Sequence, residues 1–536
     1  MRRNRPEQTR ALLEKLTQLH SAPELAGRSR AVVEVLEMIA GSGDFRAAPA
    51  LLKFALDRDQ GTSECAAGAI QRLLSGISPL DLVSLDQSAR KMGGWESDLD
   101  RKSRWASRTI RRIRALGASA TSVAGIASFH QSGFTREAAT RELARLSDGG
   151  SLPFLLIRAN DWVDPVRKTA RRAIQKSLPS RTPDDLVRSL PLILRLRECG
   201  RDDHEGLVSA LLKRLVADAS KPAVATGITS ADRAISRGCL TIAMEQKWFT
   251  HCRGALTSSD SVVRLLAARF LLTALPEEGA WTLAGTLAAD SWPGVREVAL
   301  RTVIERSPRD LRARLEAGLL DRAGTIRQLA GYYAQKMLNL DLAAYYRTQI
   351  AKGHVIAGSV LGLGEHGTVE DALPLLPCLE HSMPSIQRFA LRSMARLDLA
   401  GSAPLLSAAL QSDLPGVSNE AREILRDHSE FADRRALETA LLSDSPIHVR
   451  LNALQVLSRV GKWPSIRTLL LAVAADPDAL LEAATSRIEH WLRRFNSSAA
   501  RATNDELLEI RERLREARGR LSDRLCDAVE SCLSRP

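Results

Sequence analysis

The stretch from Ser443 to Gly461, SDSPIHVRLNALQVLSRVG, carries the pattern that most of the chain repeats. A polar turn with Asp444 and Pro446 leads into Val449, which we call the anchor, and an arginine follows it directly. An alanine comes four residues after the anchor, and apolar residues continue at helical spacing. The stretch therefore predicts a polar turn that opens an amphipathic helix.

The same frame recurs with a steady period. The other anchors are Val166, Val263, Val295, Ile326, Ile386 and Val417. From Val263 onward the anchors advance by 32, 31, 60, 31 and 32 residues, so the step of 60 holds two units, with a degenerate copy near Val355. Further units lie at Phe134, which is 32 residues before Val166, and at Leu480. Such a period is typical of stacked helical repeats, and the sequence predicts an all-α solenoid.

The composition agrees with a protein of this kind. Aromatic residues make up only 4% of the chain while Ala, Leu and Arg are abundant, which favours close helix packing over a β-sheet core. The length of 536 residues does not set a domain count, because a solenoid lengthens by adding units.

The turn followed by Val-Arg-x-x-Ala resembles HEAT repeats, particularly the short bacterial HEAT-like repeats also found in phycobilin lyase subunits. The resemblance covers residues 130–492 well and the remainder weakly. It implies an α-α superhelix, an armadillo-type HEAT-like solenoid of roughly 15 helical hairpins. It also implies a concave layer of second helices that holds partner proteins, and it supplies no catalytic residue.

The chain is expected to fall into four segments. Residues 1–117 form atypical N-terminal helical repeats with a basic helix at 101–114, and residues 118–260 form basic HEAT-like repeats that are partly irregular. Regular HEAT-like repeats span 261–495, and charged helices in 496–536 cap the end.

Two residues of the repeat call for an interpretation. The alanine four residues after the anchor predicts close helix packing, and it occurs as Ala170, Ala267, Ala299, Ala330, Ala390, Ala421 and Ala453. The arginine after the anchor occurs as Arg167, Arg264, Arg296, Arg327 and Arg450. It either belongs to a ladder of cations for an acidic partner or pairs with an aspartate or carbonyl of the repeat turns. The pairing is favoured, because a residue that every repeat needs is expected to serve the repeat.

The net charge of +13 is concentrated in the first half of the chain. Residues 1–260 contain 41 Lys and Arg against 29 Asp and Glu, whereas residues 261–536 contain 35 against 34. The helix at 101–114 places a basic stripe opposite a packing face of Ala106, Ile110 and Ile113.

These basic residues are the candidate site for a polyanion or an acidic partner. The candidates are Arg101, Arg104, Trp105, Arg108, Arg111, Arg112, Arg167, Lys168, Arg171 and Arg172, joined by Arg158 and Lys176. A shared groove would supply phosphate contacts and salt-dependent nucleic-acid binding. The alternatives are an acidic protein partner or simply solvated faces. Trp162, Trp292 and Trp463, at the turns, are expected to seal the helical hairpins rather than to anchor a partner.

Other chemistry has little support. The seven cysteines contain no Cys-x-x-Cys and the ten histidines show no metal-ligand spacing, so we expect no metal and no cofactor. The Gly-rich run GLGEHG at 362–367 is interpreted as a helix-hairpin turn rather than a phosphate loop. The N-terminus lacks an export signal and no apolar run is long enough to cross a bilayer, which predicts a cytoplasmic protein without a membrane segment.

The sequence therefore favours a non-enzymatic intracellular scaffold or adaptor that binds a partner protein along the solenoid surface. The first alternative is nucleic-acid binding through residues 101–176, and the weaker one is a lyase-type enzyme subunit acting on a chromophore.

Overall fold

The regular structure of the chain is helical. The computed structural model describes residues 5–21, 28–91, 110–306, 310–475 and 478–534, and within these ranges the only β-type pairing is an isolated bridge between Arg518 and Leu521. The chain divides into two compact units, Met1–Leu275 and Pro276–Pro536, here called the N-terminal and C-terminal units. The predicted all-α fold is confirmed.

The N-terminal unit contains fifteen described α-helices. They are α1 Arg5–Ser21, α2 Arg28–Ser42, α3 Ala48–Ala55, α4 Gln60–Leu74, α5 Pro79–Ala89, α6 Ala120–Ala127, α7 Gly133–Leu146, α8 Ser151–Arg158, α9 Asp164–Ser177, α10 Pro183–Leu196, α11 Glu205–Leu215, α12 Lys221–Ile228, α13 Arg233–Glu245, α14 Phe249–Gly254 and α15 Ser261–Ala274. Its described 3₁₀ segments are Phe45–Ala47, Arg111–Ser119, Leu178–Ser180, Asp218–Ser220 and Ala255–Thr257.

The C-terminal unit also contains fifteen described α-helices. They are α16 Glu277–Leu287, α17 Pro293–Arg306, α18 Leu311–Leu319, α19 Gly324–Leu338, α20 Leu342–Ala351, α21 Ala357–His366, α22 Pro384–Leu397, α23 Leu399–Leu410, α24 Pro415–Asp427, α25 Arg434–Leu442, α26 Ile447–Leu457, α27 Lys462–Ala474, α28 Asp478–Arg494, α29 Asn504–Ala517 and α30 Asp523–Leu533. Its described 3₁₀ segments are Val369–Glu380, Ser429–Phe431 and Phe495–Ser497.

Within each unit the helices form hairpins that stack on one another. In the N-terminal unit α9 packs on α8, its partner in the hairpin, and on α7, the equivalent helix of the preceding repeat. In the C-terminal unit α24 packs in the same way on α23, and also on α22 and α26. Each hairpin therefore buries its apolar faces against its neighbours, which is the arrangement that the HEAT-like periodicity predicts.

The repeat turns use the chemistry that the sequence suggested. Asp260 caps α15 by accepting a hydrogen bond from the backbone N–H of Val262 at 2.9 Å. In several other repeats a proline occupies the first turn of the anchor helix, as Pro384 does in α22 and Pro415 does in α24. An aspartate or a proline at the turn thus defines where each anchor helix begins.

The anchors and the repeated alanines form the core. All seven repeated alanines are buried, as are the anchors from Val166 to Val449. The degenerate repeat places Val360 in the core of the helix that follows Val355. A side chain no larger than a methyl group lets adjacent anchor helices approach closely, so the packing interpretation of the alanines is confirmed.

One anchor was placed one residue too early. Phe134 is 61% exposed, whereas Thr135 is fully buried and lies 31 residues before Val166. Hydrophobicity pointed to the phenylalanine, but the anchor position faces the core and is filled by threonine. The arginine that follows the true anchor is Arg136.

The Gly-rich run at 362–367 is not a turn, contrary to the prediction. Its first five residues belong to α21, and only Gly367 caps the helix end. A Cβ on Gly362 would lie 2.2 Å from the Tyr346 ring, and one on Gly358 would lie 2.0 Å from the carbonyl oxygen of Leu320. The glycines are therefore required for close helix packing, which a sequence with no visible partners cannot show.

The region from 180 to 255 retains helical hairpins. Helix α10 packs on α11, and α12 packs on α13. Helix α13 begins at a capping aspartate, Asp232, which accepts hydrogen bonds from two backbone N–H groups. The repeat frame thus continues through a region where the sequence pattern fades. The division of the chain into four segments stays a prediction.

Candidate functional site

The arginine after each anchor ties its own turn to the next repeat. In the C-terminal unit Arg296 donates from Nε and Nη2 to both carboxylate oxygens of Asp321 at 2.7 Å, 25 residues further on. Its Nη1 donates to the backbone carbonyl of Asp290, in the turn before its own helix, at 2.8 Å. Asp321 in turn accepts from the backbone N–H of Ala323 at 2.7 Å, which shapes the following turn. We call this arrangement the arginine clamp.

The other anchor arginines share part or all of this geometry. Nη1 donates to the carbonyl six residues earlier at 2.8 Å in three of them, Arg167, Arg264 and Arg327. Arg327 also forks to the carboxylate of Glu365, and Arg450 donates to the carbonyl of Leu441 at 2.9 Å. The interpretation that these arginines pair with turn groups is confirmed.

In the N-terminal unit the clamp belongs to a buried charge network. Arg136 donates from Nε and Nη2 to Asp161 at 3.0 Å, and Arg158 donates from Nη1 to the same carboxylate at 2.8 Å. Arg158 also contacts Asp86 at 2.6 Å, and Arg90 pairs with Asp86 through two bonds of 3.1 Å. We call these five residues the Asp161 cluster. It holds three cations and two carboxylates, and Arg136, Arg158 and Asp161 have almost no exposed surface.

The cluster keeps its carboxylate ionised. Burial acts to raise the pKa of Asp161, but the charge of Arg158 and the hydrogen bond from Arg136 together outweigh it, so the pKa lies below its usual value. Asp321 shows the same balance, with burial opposed mainly by the hydrogen bond from Arg296. These groups hold repeats together, and Arg158, which the sequence placed with the exposed cations, is fully buried.

The predicted basic stripe is only partly described. Arg101, Arg104, Trp105 and Arg108 lie outside the described residues, as does Ala106. Ile110 and Ile113 are buried as expected, and Arg111 and Arg112 are exposed. From Arg111 the chain is a 3₁₀ helix rather than the predicted α-helix, with a left-handed φ at Gly117. The α-helical stripe therefore does not extend to residue 114, and Arg112 donates to the carbonyl of Leu56 at 3.0 Å.

The four candidates on α9 have different surroundings. Arg167 is held by Asp164 at 2.9 Å in addition to its turn carbonyl, and Arg171 contacts Asp202 at 2.9 Å. Lys168 is exposed and pairs with Asp164 at 2.8 Å. Arg172 is exposed and has no hydrogen bond or ion pair with a described residue. Of the four, Arg172 is thus the most available to a ligand.

Arg172 lies in a groove between α7 and α9 that we call the N-terminal basic groove. The groove has a volume of about 640 Å³ and is lined by Arg141, Arg145, Arg172 and Lys176, among others. Arg141 and Arg145 were not among the candidates. The signal was in the sequence: Arg141 and Arg172 are 31 residues apart, as are Arg145 and Lys176, so each pair occupies one repeat position.

Exposed apolar side chains recur at the repeat turns. In the N-terminal unit Phe134 and Trp162 are both more than half exposed, at the turns that open α7 and α9. These two turns are adjacent, because a Cβ on Gly133 would lie 3.3 Å from the Val163 side chain. The Trp162 ring stacks at 5.8 Å from the buried Arg136 guanidinium, which holds the ring in place.

The C-terminal unit shows the same feature. Met383, Leu414 and Ile447 are exposed at the starts of α22, α24 and α26, which pack on one another in that order. The turns are joined directly, since His448 Nε2 lies 3.1 Å from the carbonyl oxygen of Ser412. We call Phe134 with Trp162, and Met383 with Leu414 and Ile447, the turn-edge residues of the two units.

The three tryptophans therefore differ. Trp463 is buried and donates from Nε1 to the carbonyl of Ala500 at 2.9 Å, so it seals its hairpin as predicted. Trp292 is half-buried at its turn. Trp162 is 65% exposed, so for this ring the prediction of sealing is wrong. The core position at its turn is taken by the anchor Val166 instead.

Searches for membrane and metal features in the described part of the chain found neither. No described helix combines the length and apolar character needed to cross a membrane. No cluster of three or more His, Cys, Asp or Glu suited to a metal ion occurs among the described residues.

Comparison with known proteins finds similarity only among solved structures. The chain matches no protein-family model, and no curated protein matches it. It is similar to Kap121p bound to RanGTP, at 15% identity and a TM-score of 0.27, over 98% of this chain and 56% of Kap121p. It is also similar to yeast importin-beta (Kap95p), at 10% identity and a TM-score of 0.29, over 95% of this chain and 87% of that one. The Kap95:Nup1 complex gives 12% identity and a TM-score of 0.31 over 95% and 67%. The chain thus spans little more than half the length of Kap121p.

Proposed function

We propose that this protein is a non-enzymatic scaffold or adaptor of HEAT-like repeats whose turn-edge residues bind a partner protein. The observation that carries the proposal is the recurrence of exposed apolar side chains at equivalent, adjacent turns in both units. Single exposed apolar residues are ordinary, but a row of them on a rigid edge is typical of a protein-binding surface.

The supporting structure is suited to this role. The turn-edge residues stand at the starts of helices whose anchors are buried, so binding requires little ordering of the backbone. Aromatic and methionine side chains, such as Trp162 and Met383, are enriched at protein interfaces. The repeats therefore supply spacing, and the turns supply contacts.

Affinity capture with matched variants tests the proposal. The immobilised full chain is exposed to an extract of its native host, and captured proteins are quantified by mass spectrometry. We expect one dominant protein, reduced by about tenfold or more in the triple variant Met383→Glu, Leu414→Glu, Ile447→Glu, because the loss of central apolar contacts dominates binding energy. Leu508→Glu, at an equally exposed leucine of α29, is the control and should leave capture unchanged.

A fourth variant separates the turn edge from the layer of second helices. Leu373 is 69% exposed on the 3₁₀ segment Val369–Glu380, which takes the place of the second helix in the degenerate repeat. If Leu373→Glu abolishes capture and the triple variant does not, the partner lies on that layer and the turn-edge proposal is wrong. Failure to enrich any single protein would contradict the scaffold itself.

The N-terminal basic groove favours a second candidate, nucleic-acid binding within the predicted region 101–176. Arg172 and Lys176 line it with no ion pair to a described residue, and four cations at two repeat positions match the regular spacing of a phosphate backbone. The test is anisotropy of a labelled oligonucleotide with the variant Arg172→Glu, Lys176→Glu. We expect at least tenfold weaker binding at 50 mM salt and a salt slope lower by about two.

The control carries the same charge change elsewhere. Arg46→Glu, Arg233→Glu alters two exposed arginines of the N-terminal unit outside the groove. Equal weakening by both double variants would mean that only net charge matters, and the groove would carry no site. The phycobilin-lyase likeness, a chromophore substrate and a cytoplasmic location stay predictions, and visible absorbance of the purified protein tests the chromophore.

A further inference from the structure

A second basic groove lies in the C-terminal unit, at the end of α26, the start of α27 and along α28. It has a volume of about 690 Å³ and we call it the C-terminal basic groove. Its cationic lining consists of Arg459, Lys462, Arg487, Arg493 and Arg494, with His490 beside them. This concentration was not anticipated, because the second half of the chain is nearly neutral.

The positive charge of this groove is not balanced by the protein. Among the residues that the structure describes, no Asp or Glu lines it. Of its five lysine and arginine side chains only Arg493 has a described carboxylate within 4 Å, Glu489 at 4.0 Å, and that pair is exposed. Like charges held together repel one another, so this part of the fold gains from a bound anion.

Arg487 shows the imbalance most clearly. Its guanidinium is half-buried, and its described hydrogen bond goes from Nη1 to the carbonyl of Ala483 at 3.0 Å. Burial lowers the pKa of Arg487, and the positive charge of Arg422 lowers it further. Arg422 itself donates to Gln455, another residue of the groove wall, at 2.9 Å. A cation is thus held half out of water beside another cation.

The aromatic residues of the groove do not offer a stacking surface. Lys462 Nζ lies 3.8 Å from the Phe495 ring centre, and covers that face of the ring. Trp491 is buried and donates from Nε1 to the carbonyl of Lys462 at 2.9 Å. Binding of single-stranded nucleic acid usually relies on bases that stack on open rings, and this groove lacks such rings.

We propose that the C-terminal basic groove binds a compact polyanion that carries several phosphate groups. The volume lies within the range of small-molecule sites, about 300–1,000 Å³. Guanidinium groups recognise phosphate oxygens through paired hydrogen bonds, and Arg459, Arg487 and Arg494 have those donors uncommitted to any described carboxylate.

Calorimetric titration of the full chain with inorganic tripolyphosphate tests the proposal, with orthophosphate as the single-phosphate comparison. We expect tripolyphosphate to bind at least tenfold more tightly than orthophosphate. The triple variant Arg459→Gln, Arg493→Gln, Arg494→Gln should weaken tripolyphosphate binding by about tenfold or more, because three charge-assisted contacts are lost. These side chains are exposed, so the fold should be retained, as the thermal midpoint verifies.

The matched control is Arg515→Gln, Arg518→Gln, Arg524→Gln, which removes the same charge from exposed positions outside the groove. It should change the affinity by less than twofold. The proposal is overturned if wild-type protein does not bind tripolyphosphate, or if both triple variants weaken binding equally. Tighter binding of a single-stranded oligonucleotide, lost in the groove variant, would also overturn it and assign the groove to nucleic acid.

Discussion

The Asp161 cluster of the N-terminal unit and the basic groove of the C-terminal unit use arginine in opposite ways. In the cluster, Arg136 and Arg158 are buried and share the carboxylate of Asp161 through bonds of 2.8–3.0 Å. In the groove, Arg459 and Arg494 line a cavity that no described carboxylate enters. Buried charges must be paired to be tolerated, whereas surface charges are stable without a partner. The pairing of each arginine, rather than its presence, therefore separates structural from functional cations.

Removal of the shared carboxylate should have the largest effect. Asp161→Asn leaves the buried guanidinium groups of Arg136 and Arg158 without their common anion, and we expect a loss of about 3–5 kcal/mol in the free energy of unfolding. Urea unfolding, followed by hydrogen exchange in peptides covering 133–177, measures it. The control Asp164→Asn removes an exposed carboxylate that pairs with Arg167 and Lys168, and it should lower stability by less than about 1 kcal/mol. Similar losses in both variants would contradict the distinction.

The same cluster predicts a pH dependence. Because the pKa of Asp161 is lowered by folding, its stabilising contribution is present above the unfolded value of about 3.9 and disappears as the pH falls through the folded value. The urea midpoint of wild type should therefore be flat from pH 7 to about pH 5 and fall in stronger acid. The gap between wild type and Asp161→Asn should narrow as the pH falls below about 4, since both side chains are then neutral. A gap that stays constant down to pH 3 would show that charge is not the cause.

The clamp of the C-terminal unit should show an intermediate effect. Arg296→Lys keeps the positive charge but cannot fork to both oxygens of Asp321 while donating to the turn carbonyl. We expect a loss of about 2 kcal/mol, the value of one or two charge-assisted hydrogen bonds. Hydrogen exchange in peptides covering 293–338 reports it. Arg301→Lys changes an exposed arginine that pairs with Glu297 on the same helix, and should cost about 0.5 kcal/mol or less. A loss for Arg296→Lys no larger than this would show that the fork is unimportant.

Much of this structural use of arginine could be predicted from the sequence. An arginine at one position of every repeat, next to an apolar anchor and close to an aspartate in the turn, indicates pairing within the repeat, and Arg296 with Asp321 bears this out. The anchor at 135 was missed because the pattern was read from hydrophobicity, and threonine at a buried position carries no such signal. Phe134 attracted the assignment although it faces solvent.

The two grooves differ in how visible they are in the sequence. In the N-terminal groove, Arg141 and Arg172 occupy one position in successive repeats, so the spacing of 31 residues announces a shared face. In the C-terminal groove, Arg459, Lys462 and Arg487 come from three helices or helix ends at unrelated repeat positions. A charge count over the second half averages these cations with acidic residues that point elsewhere. Only the packing of α26, α27 and α28 brings the cations together.

The smallest expected effect, with the opposite sign, comes from neutralising the groove. Arg493→Gln, Arg494→Gln removes two mutually repelling charges, one of which has only a distant carboxylate partner, so stability at 20 mM salt should rise by about 0.3–0.5 kcal/mol. In 1 M salt the gain should vanish, because the screening length falls to about 3 Å. The loss in Asp161→Asn should persist in both salt conditions, since buried charges are little screened. Thermal unfolding at the two salt concentrations makes the measurement. A destabilised double variant would mean that these arginines hold the fold together as the clamps do, and the contrast between the two regions would then no longer hold.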